Sequence, residues 1–138
     1  SLEAGDHGTT YGGNPLAGAA VSRMIDLYEA NHILEHVREI TVYLEQKLDE
    51  LVSRHDRIRQ RRGSGLMQGL ACDEPVGDVI AKALERGLKR EEVPTLEAAL
   101  ERGLILINAG PSVLRFLPPL VIERKHVDEM VEILEECL

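Results

Sequence analysis

Residues 5–15, Gly5-Asp6-His7-Gly8-Thr9-Thr10-Tyr11-Gly12-Gly13-Asn14-Pro15, place glycines and hydroxyls directly before a helix start. Gly8, Gly12 and Gly13 let backbone amides approach a ligand closely. Thr9 and Thr10 add hydroxyl donors. Asn14 caps a helix and Pro15 suits its first position, so the positive end of a helix follows at once. That combination favours an anion, and phosphate above all. The same residues also make an ordinary turn ahead of a well-capped helix, and residue chemistry alone does not choose between the two.

Arg115 is the second candidate. In Val113-Leu114-Arg115-Phe116-Leu117, strand alternation sets Arg115 on one face with Val113 and Leu117, and Leu114 and Phe116 on the other. A guanidinium among apolar strand residues is costly unless paired. It can grip a ligand carboxylate through two parallel hydrogen bonds. It can also reach solvent or an internal carboxylate from an edge strand, and taken alone the strand leans slightly that way.

Other polar groups offer less. His32 and His36 share a helix face, but His32-Ile33-Leu34-Glu35-His36 is not H-E-x-x-H, and two solvated histidines are expected. His7, His55 and His126 have no evident partner. Cys72 and Cys137 have no metal-ligand spacing, and read as reduced thiols of a cytoplasmic protein. Arg54, Arg57, Arg59, Arg61 and Arg62, interrupted by Asp56, read as a solvated connection leading into a sheet.

The elements that must position these residues fit one domain. The 138 residues are 43% hydrophobic and 29% charged, with 3% aromatics and no Trp. That profile is globular, with an aliphatic core. A net charge of −8 argues against nucleic acid or an anionic membrane as partner. No apolar run approaches membrane-spanning length and no signal peptide is visible. The chain opens at Ser1-Leu2 without Met, which reads as a segment of a longer protein.

Ala17, Val21, Met24 and Tyr28 continue the first helix, which breaks at Asn31. Ile33, Val37, Ile40, Leu44, Leu48 and Leu51 stripe a second, longer one. Gly63-Ser64-Gly65 before Leu66–Cys72 suggests a strand bent at its entry. A short helix opens at Pro75, with Gly87 as C-cap. Ala83–Leu88 repeats as Ala99–Leu104, and Pro94-Thr95 starts a helix between the copies. Leu104–Ile107 and Val113–Leu117 form a hairpin about the turn at 108–112. Val127, Met130, Val131 and Leu134 mark a last helix. The expected fold class is α+β, an antiparallel sheet packed with helices.

Three stretches resemble motifs of the class III, pyridoxal-phosphate-dependent aminotransferases. They are Gly5–Ala17, Arg62-Gly63-Ser64-Gly65-Leu66-Met67, and Leu104–Gly110 with Leu114-Arg115-Phe116-Leu117-Pro118-Pro119-Leu120. They occur in the family's order and span most of the chain, which looks most like the acetylornithine branch. Ornithine, succinylornithine and 4-aminobutyrate branches are near. The resemblance implies the small C-terminal domain of a fold-type I enzyme, residues 54–138. Connecting helices at 16–53 and a remnant of the large domain's cofactor-phosphate loop at 1–15 precede it.

The resemblance also implies roles. Thr10, with Thr9, binds the phosphate of pyridoxal 5'-phosphate held by the other subunit of a homodimer. Arg115 binds the substrate α-carboxylate. The Schiff-base lysine lies upstream, and Lys47, Lys82, Lys89 and Lys125 do not match its context. The implied reaction moves the terminal amino group of N-acetylornithine to 2-oxoglutarate, in arginine biosynthesis, and the segment alone is expected to be inactive. Residues 86–101 are an insertion against the family pattern. A segment without its large domain is expected to self-associate through Ala17, Val21 and Met24. The alternative of another class is a non-catalytic α+β interaction module.

Overall fold

The computed structural model describes residues 8, 10, 12–86 and 106–138. Helix α1 (Pro15–Ala30) begins where expected. Asn14 is extended (φ −65°, ψ 126°), and its side-chain oxygen accepts from the Leu16 and Ala17 amides at 2.9 and 3.4 Å. The helix ends at Asn31, whose side chain donates to the Leu27 carbonyl at 2.9 Å. His32 follows at φ 50°, a left-handed conformation that stops the helix. Helix α1 buries no residue, and Leu16, Val21, Met24 and Ile25 are exposed. Chain contacts divide the protein into two compact units, residues 1–34 and 35–138.

The second unit is an α+β layer. Helix α2 (Ile33–Arg54) buries the Ile40, Leu44, Leu48 and Leu51 stripe that its periodicity predicts. Strands β1 (Ile58–Ser64) and β2 (Met67–Cys72) precede helix α3 (Gly77–Glu85). Strands β3 (Leu106–Asn108) and β4 (Val113–Phe116) then lead to helix α4 (Arg124–Cys137). The sheet order is β1-β2-β4-β3, and every pairing is antiparallel.

One sheet face meets the helices. Ile58, Leu70, Cys72, Leu114 and Phe116 share a single core with Leu44 and Leu48 of α2, Val79 and Ala83 of α3, and Val127 and Leu134 of α4. Each fully buried Leu there contributes about 1.5–3 kcal/mol of transfer free energy. Alternation sends Arg115, Val113, Gly69, Ala71 and Arg62 to the opposite face. Ala71 is buried yet lies outside the core cluster, as that placement requires.

The hairpin at Val113 forms as expected, with Leu106 opposite Phe116. Two expectations are corrected. The arginine-rich stretch is not one solvated connection: Arg54 ends α2, Arg57 lies in the short turn, and Arg59, Arg61 and Arg62 belong to strand β1, paired with β2 through Gln60↔Ala71, Arg61↔Leu70 and Arg62↔Gly69. Consequently Gly63-Ser64-Gly65 does not bend the entry of a lone strand; it leads into the turn of a β1–β2 hairpin. The register slips instead between Ile58 and Gln60. The expected C-cap Gly87, the helix at Pro94 and the insertion lie largely or wholly outside the described residues.

Candidate functional site

Arg115 sits near the end of β4, opposite Gly69 of β2 on one side and Ile107 of β3 on the other. Its chain neighbours Leu114 and Phe116 are fully buried and lock the strand to the core. The guanidinium points to the other face and is only partly exposed. Its Nε is buried and has no hydrogen-bond partner. Among the described residues, no carboxylate pairs with Arg115.

Other arginines of this unit behave differently. Arg57 forks onto Asp78, with bonds of 3.0 and 2.7 Å, and donates to the Pro75 carbonyl at 2.7 Å. The guanidinium's hydrogen bonds pull the Asp78 carboxyl down to about 2. Arg61 forks onto Asp49 at 2.7 and 3.2 Å, and reaches Glu45 at 3.1 Å and the buried Gln68 amide oxygen at 3.0 Å. Those two arginines have their charge met by carboxylates of the same unit, although the Arg57 Nε, like that of Arg115, is buried without an acceptor. A buried N–H without an acceptor costs about 1–3 kcal/mol, and Arg115, without a carboxylate partner among the described residues, suits an incoming anion.

In the first unit, Thr10, Gly12 and Gly13 are exposed, and Gly13 takes φ 74°. Thr9 lies outside the described residues. The helix end offers an anion less than the sequence suggests. Pro15 has no amide, Asn14 occupies the Leu16 and Ala17 amides, and Gly18 donates to the Asn14 carbonyl at 2.9 Å. An anion at this loop therefore draws its donors from the Thr10 hydroxyl and from backbone amides ahead of the helix. The dipole of α1 adds only a background field.

Three further side chains find partners the sequence did not reveal. His36 is not a solvated histidine, since its Nε2 lies 2.8 Å from the Ile122 carbonyl. His126 accepts from the Glu123 amide at 3.1 Å, completing a capping box for α4. The Tyr43 hydroxyl donates to Asp128 at 2.6 Å and ties α2 to α4. Each pairing joins elements or turns that local sequence does not relate, except the capping box, whose i, i+3 spacing was available.

The aminotransferase class-III family model matches residues 1–138. The chain belongs to the class III aminotransferases. Among these aminotransferases, it is 41% identical to the acetylornithine aminotransferase of Gloeobacter violaceus over 97% of this chain and 30% of that protein. It is 40% identical to the acetylornithine aminotransferase of Aquifex aeolicus over 100% of this chain and 31% of that protein. A solved Plasmodium falciparum ornithine δ-aminotransferase superposes with a TM-score of 0.75 at 27% identity, covering 99% of this chain and 31% of that one. The chain thus spans about 30% of the length of the curated relatives it matches. The α+β fold with an antiparallel sheet is the one expected. Among the described residues, no helix is long and apolar enough to cross a membrane.

Proposed function

We propose that this chain is the small-domain part of a pyridoxal-phosphate-dependent aminotransferase. In the whole protein it moves the terminal amino group of N-acetylornithine to 2-oxoglutarate, a step of arginine biosynthesis in the cytoplasm. Arg115 grips the substrate α-carboxylate. The observation that carries this reading is the Arg115 guanidinium on the open sheet face, which among the described residues has no carboxylate partner and whose buried Nε has no acceptor. The high identity to proteins named acetylornithine aminotransferase supports the choice of amino donor.

The residues present fit the cofactor's phosphate in a limited way. The exposed Thr10 hydroxyl and the amides about Gly12 and Gly13 are suited to it, with Thr9 next in sequence, while the first turn of α1 has no spare amide. In a homodimer these groups would hold the phosphate belonging to the other subunit. When bound, pyridoxal phosphate supplies an electron sink for bond breaking at the amino carbon. This chain's share is to bind and orient: Arg115 fixes the carboxylate, and β4, anchored by Leu114 and Phe116, holds Arg115 still.

The chain alone is proposed to be inactive. A lysine that attacks a carbonyl must give up its proton. Lys47 instead lies 3.3 Å from Asp128, whose hydrogen bond raises its pKa. Lys125 is paired with Glu123 at 3.2 Å.

The test is Arg115→Leu in the complete protein. Two charge-assisted bonds contribute about 1.5–3 kcal/mol each, so kcat/KM for the amino donor should fall about 10²- to 10⁴-fold. Unchanged amino-acid turnover in that variant would sink the reading.

A further inference from the structure

Gly69 lies inside strand β2, and β2 lies between β1 and β4. The registers Arg62↔Gly69 and Gly69↔Arg115 set a residue without a side chain directly opposite Arg115. A glycine inside a strand costs backbone entropy and packs nothing. It marks a special backbone conformation, crowding, or the close approach of another group.

A special conformation does not apply here. Gly63 and Gly65 take positive φ and Gly69 does not. Crowding applies weakly. A Cβ on Gly69 would lie 3.3 Å from Val113 Cγ1, 3.4 Å from the Leu114 carbonyl oxygen and 3.8 Å from the Arg62 carbonyl oxygen. The nearest of these is a methyl of a half-buried side chain, which can turn away. A Cβ on Gly63, by contrast, would meet the Gln68 Cα at 2.8 Å.

Close approach is left, and Arg115 is the group placed to make it. Its Nε sits at the far end of the aliphatic stem, on the sheet face away from the core, and yet is buried. A stem standing straight off the sheet would carry that nitrogen into solvent, so the arginine lies along the sheet. Gly69 is buried too, as a bare strand position is when neighbouring stems close over it. Side chains directly opposite in an antiparallel pair start only about 4.5–5.5 Å apart at Cβ, so a side chain at position 69 would compete for the same room.

We propose that Gly69 is a positioning residue: by leaving its place empty it lets Arg115 lie low on the sheet, and so fixes the height and tilt at which the guanidinium meets a carboxylate. The inference rests on the aminotransferase reading, in which that carboxylate belongs to a substrate, and adds the residue that sets the arginine's pose. A planar guanidinium makes two parallel bonds to a carboxylate only when the planes agree, so a tilt loses one of them. One charge-assisted bond lost corresponds to about 10- to 150-fold in affinity.

The experiment uses the complete protein with its cofactor, as wild type, Gly69→Ala, Gly69→Val, Arg115→Lys and the double variant Gly69→Val with Arg115→Lys. Ala71→Val, which adds bulk to the same face of the same strand opposite Val113, is the packing control. Glutarate, a carboxylate ligand that cannot accept an amino group, is titrated by calorimetry. The kcat/KM for 2-oxoglutarate is read from initial rates with N-acetylornithine as donor. Both values should fall about tenfold or more in Gly69→Val and by a smaller factor in Gly69→Ala. Ala71→Val should change neither by more than about twofold. In the Arg115→Lys background, which has no planar fork to tilt, Gly69→Val should change either value by less than about twofold.

Unchanged values in both Gly69 variants, with Arg115→Lys weakened, would overturn the proposal and leave the aminotransferase reading intact. Equal losses on adding Gly69→Val to wild type and to Arg115→Lys would overturn it too, because they report a distorted sheet and not a tilted arginine. If Gly69→Val does not fold, the comparison of Gly69→Ala with Ala71→Val decides, and no difference between them ends the proposal. Glutarate binding to Arg115→Lys as tightly as to wild type would refute the role of Arg115 itself, and the positioning role with it.

Discussion

Gly63→Ala is expected to be among the most damaging single-methyl additions to this fold. Gly63 sits at φ 149°, where L side chains are strained. A Cβ built on it would press against the Met67 carbonyl oxygen and lie 2.7 Å from Gln68 Oε1 and 2.8 Å from Gln68 Cα. The backbone atoms cannot yield without breaking the hairpin register, in which Gly63 faces Gln68. The side chain of Gln68 is no freer. It is 1% exposed, and donates to the Gly65 carbonyl at 2.7 Å and to Glu45 at 3.1 Å.

Backbone strain of about 1–3 kcal/mol and overpacking of about 1–3 kcal/mol combine to about 4 kcal/mol for Gly63→Ala. Gly65→Ala is the internal control. Gly65 is also left-handed, at φ 56°, but nothing lies within 4 Å of its Cβ position. Only the conformational cost of about 1–2 kcal/mol applies there. Urea unfolding followed by circular dichroism measures both. The hairpin variant should lose at least twice the stability of the control. Equal losses would show that the contacts at Gly63 relax freely, and the steric reasoning would be wrong.

Asp78→Asn should flatten the acid limb of the stability curve. Asp78 titrates at about 2 when folded, below the ordinary carboxylate range, so its contribution is full above about pH 4 and fades as pH falls toward 2. Urea midpoints between pH 2 and pH 6 in wild type and variant check the window and its sign. Tyr43→Phe should cost about 1 kcal/mol by deleting the 2.6 Å bond from α2 to Asp128 of α4. The Asp128 carboxyl, now held low chiefly by that hydroxyl, should titrate higher, as NMR would report. Leu48→Ala, at a fully buried site on α2, should cost about 2–5 kcal/mol in the same denaturation assay. Asn14→Ala should cost about 1 kcal/mol of local helix stability, seen as faster hydrogen exchange at Leu16 and Ala17, whose amides it now binds.

The sequence by itself determined the helices at Pro15–Ala30 and Ile33–Arg54 and the face of Arg115. Asn14-Pro15 writes a cap into adjacent residues, and the Ile40–Leu44–Leu48–Leu51 spacing writes a buried stripe into one helix. Both are local signals. So is the alternation that turns Leu114 and Phe116 to the core and Arg115 away from it. Three motifs matching one family added the rest of the functional reading.

Strand β1 was not legible, because its charges mask the alternation. Arg61 faces the helices and is tolerated there only because α2 brings Asp49 and Glu45 to it. The sheet order was equally hidden. Only tertiary pairing inserts β2 between β1 and β4, and only that order sets Arg62 and Arg115 on one row about Gly69. Local periodicity fixes which way a side chain points along its own strand; which strands lie side by side depends on long-range burial and hydrogen bonding, which no short window of sequence contains.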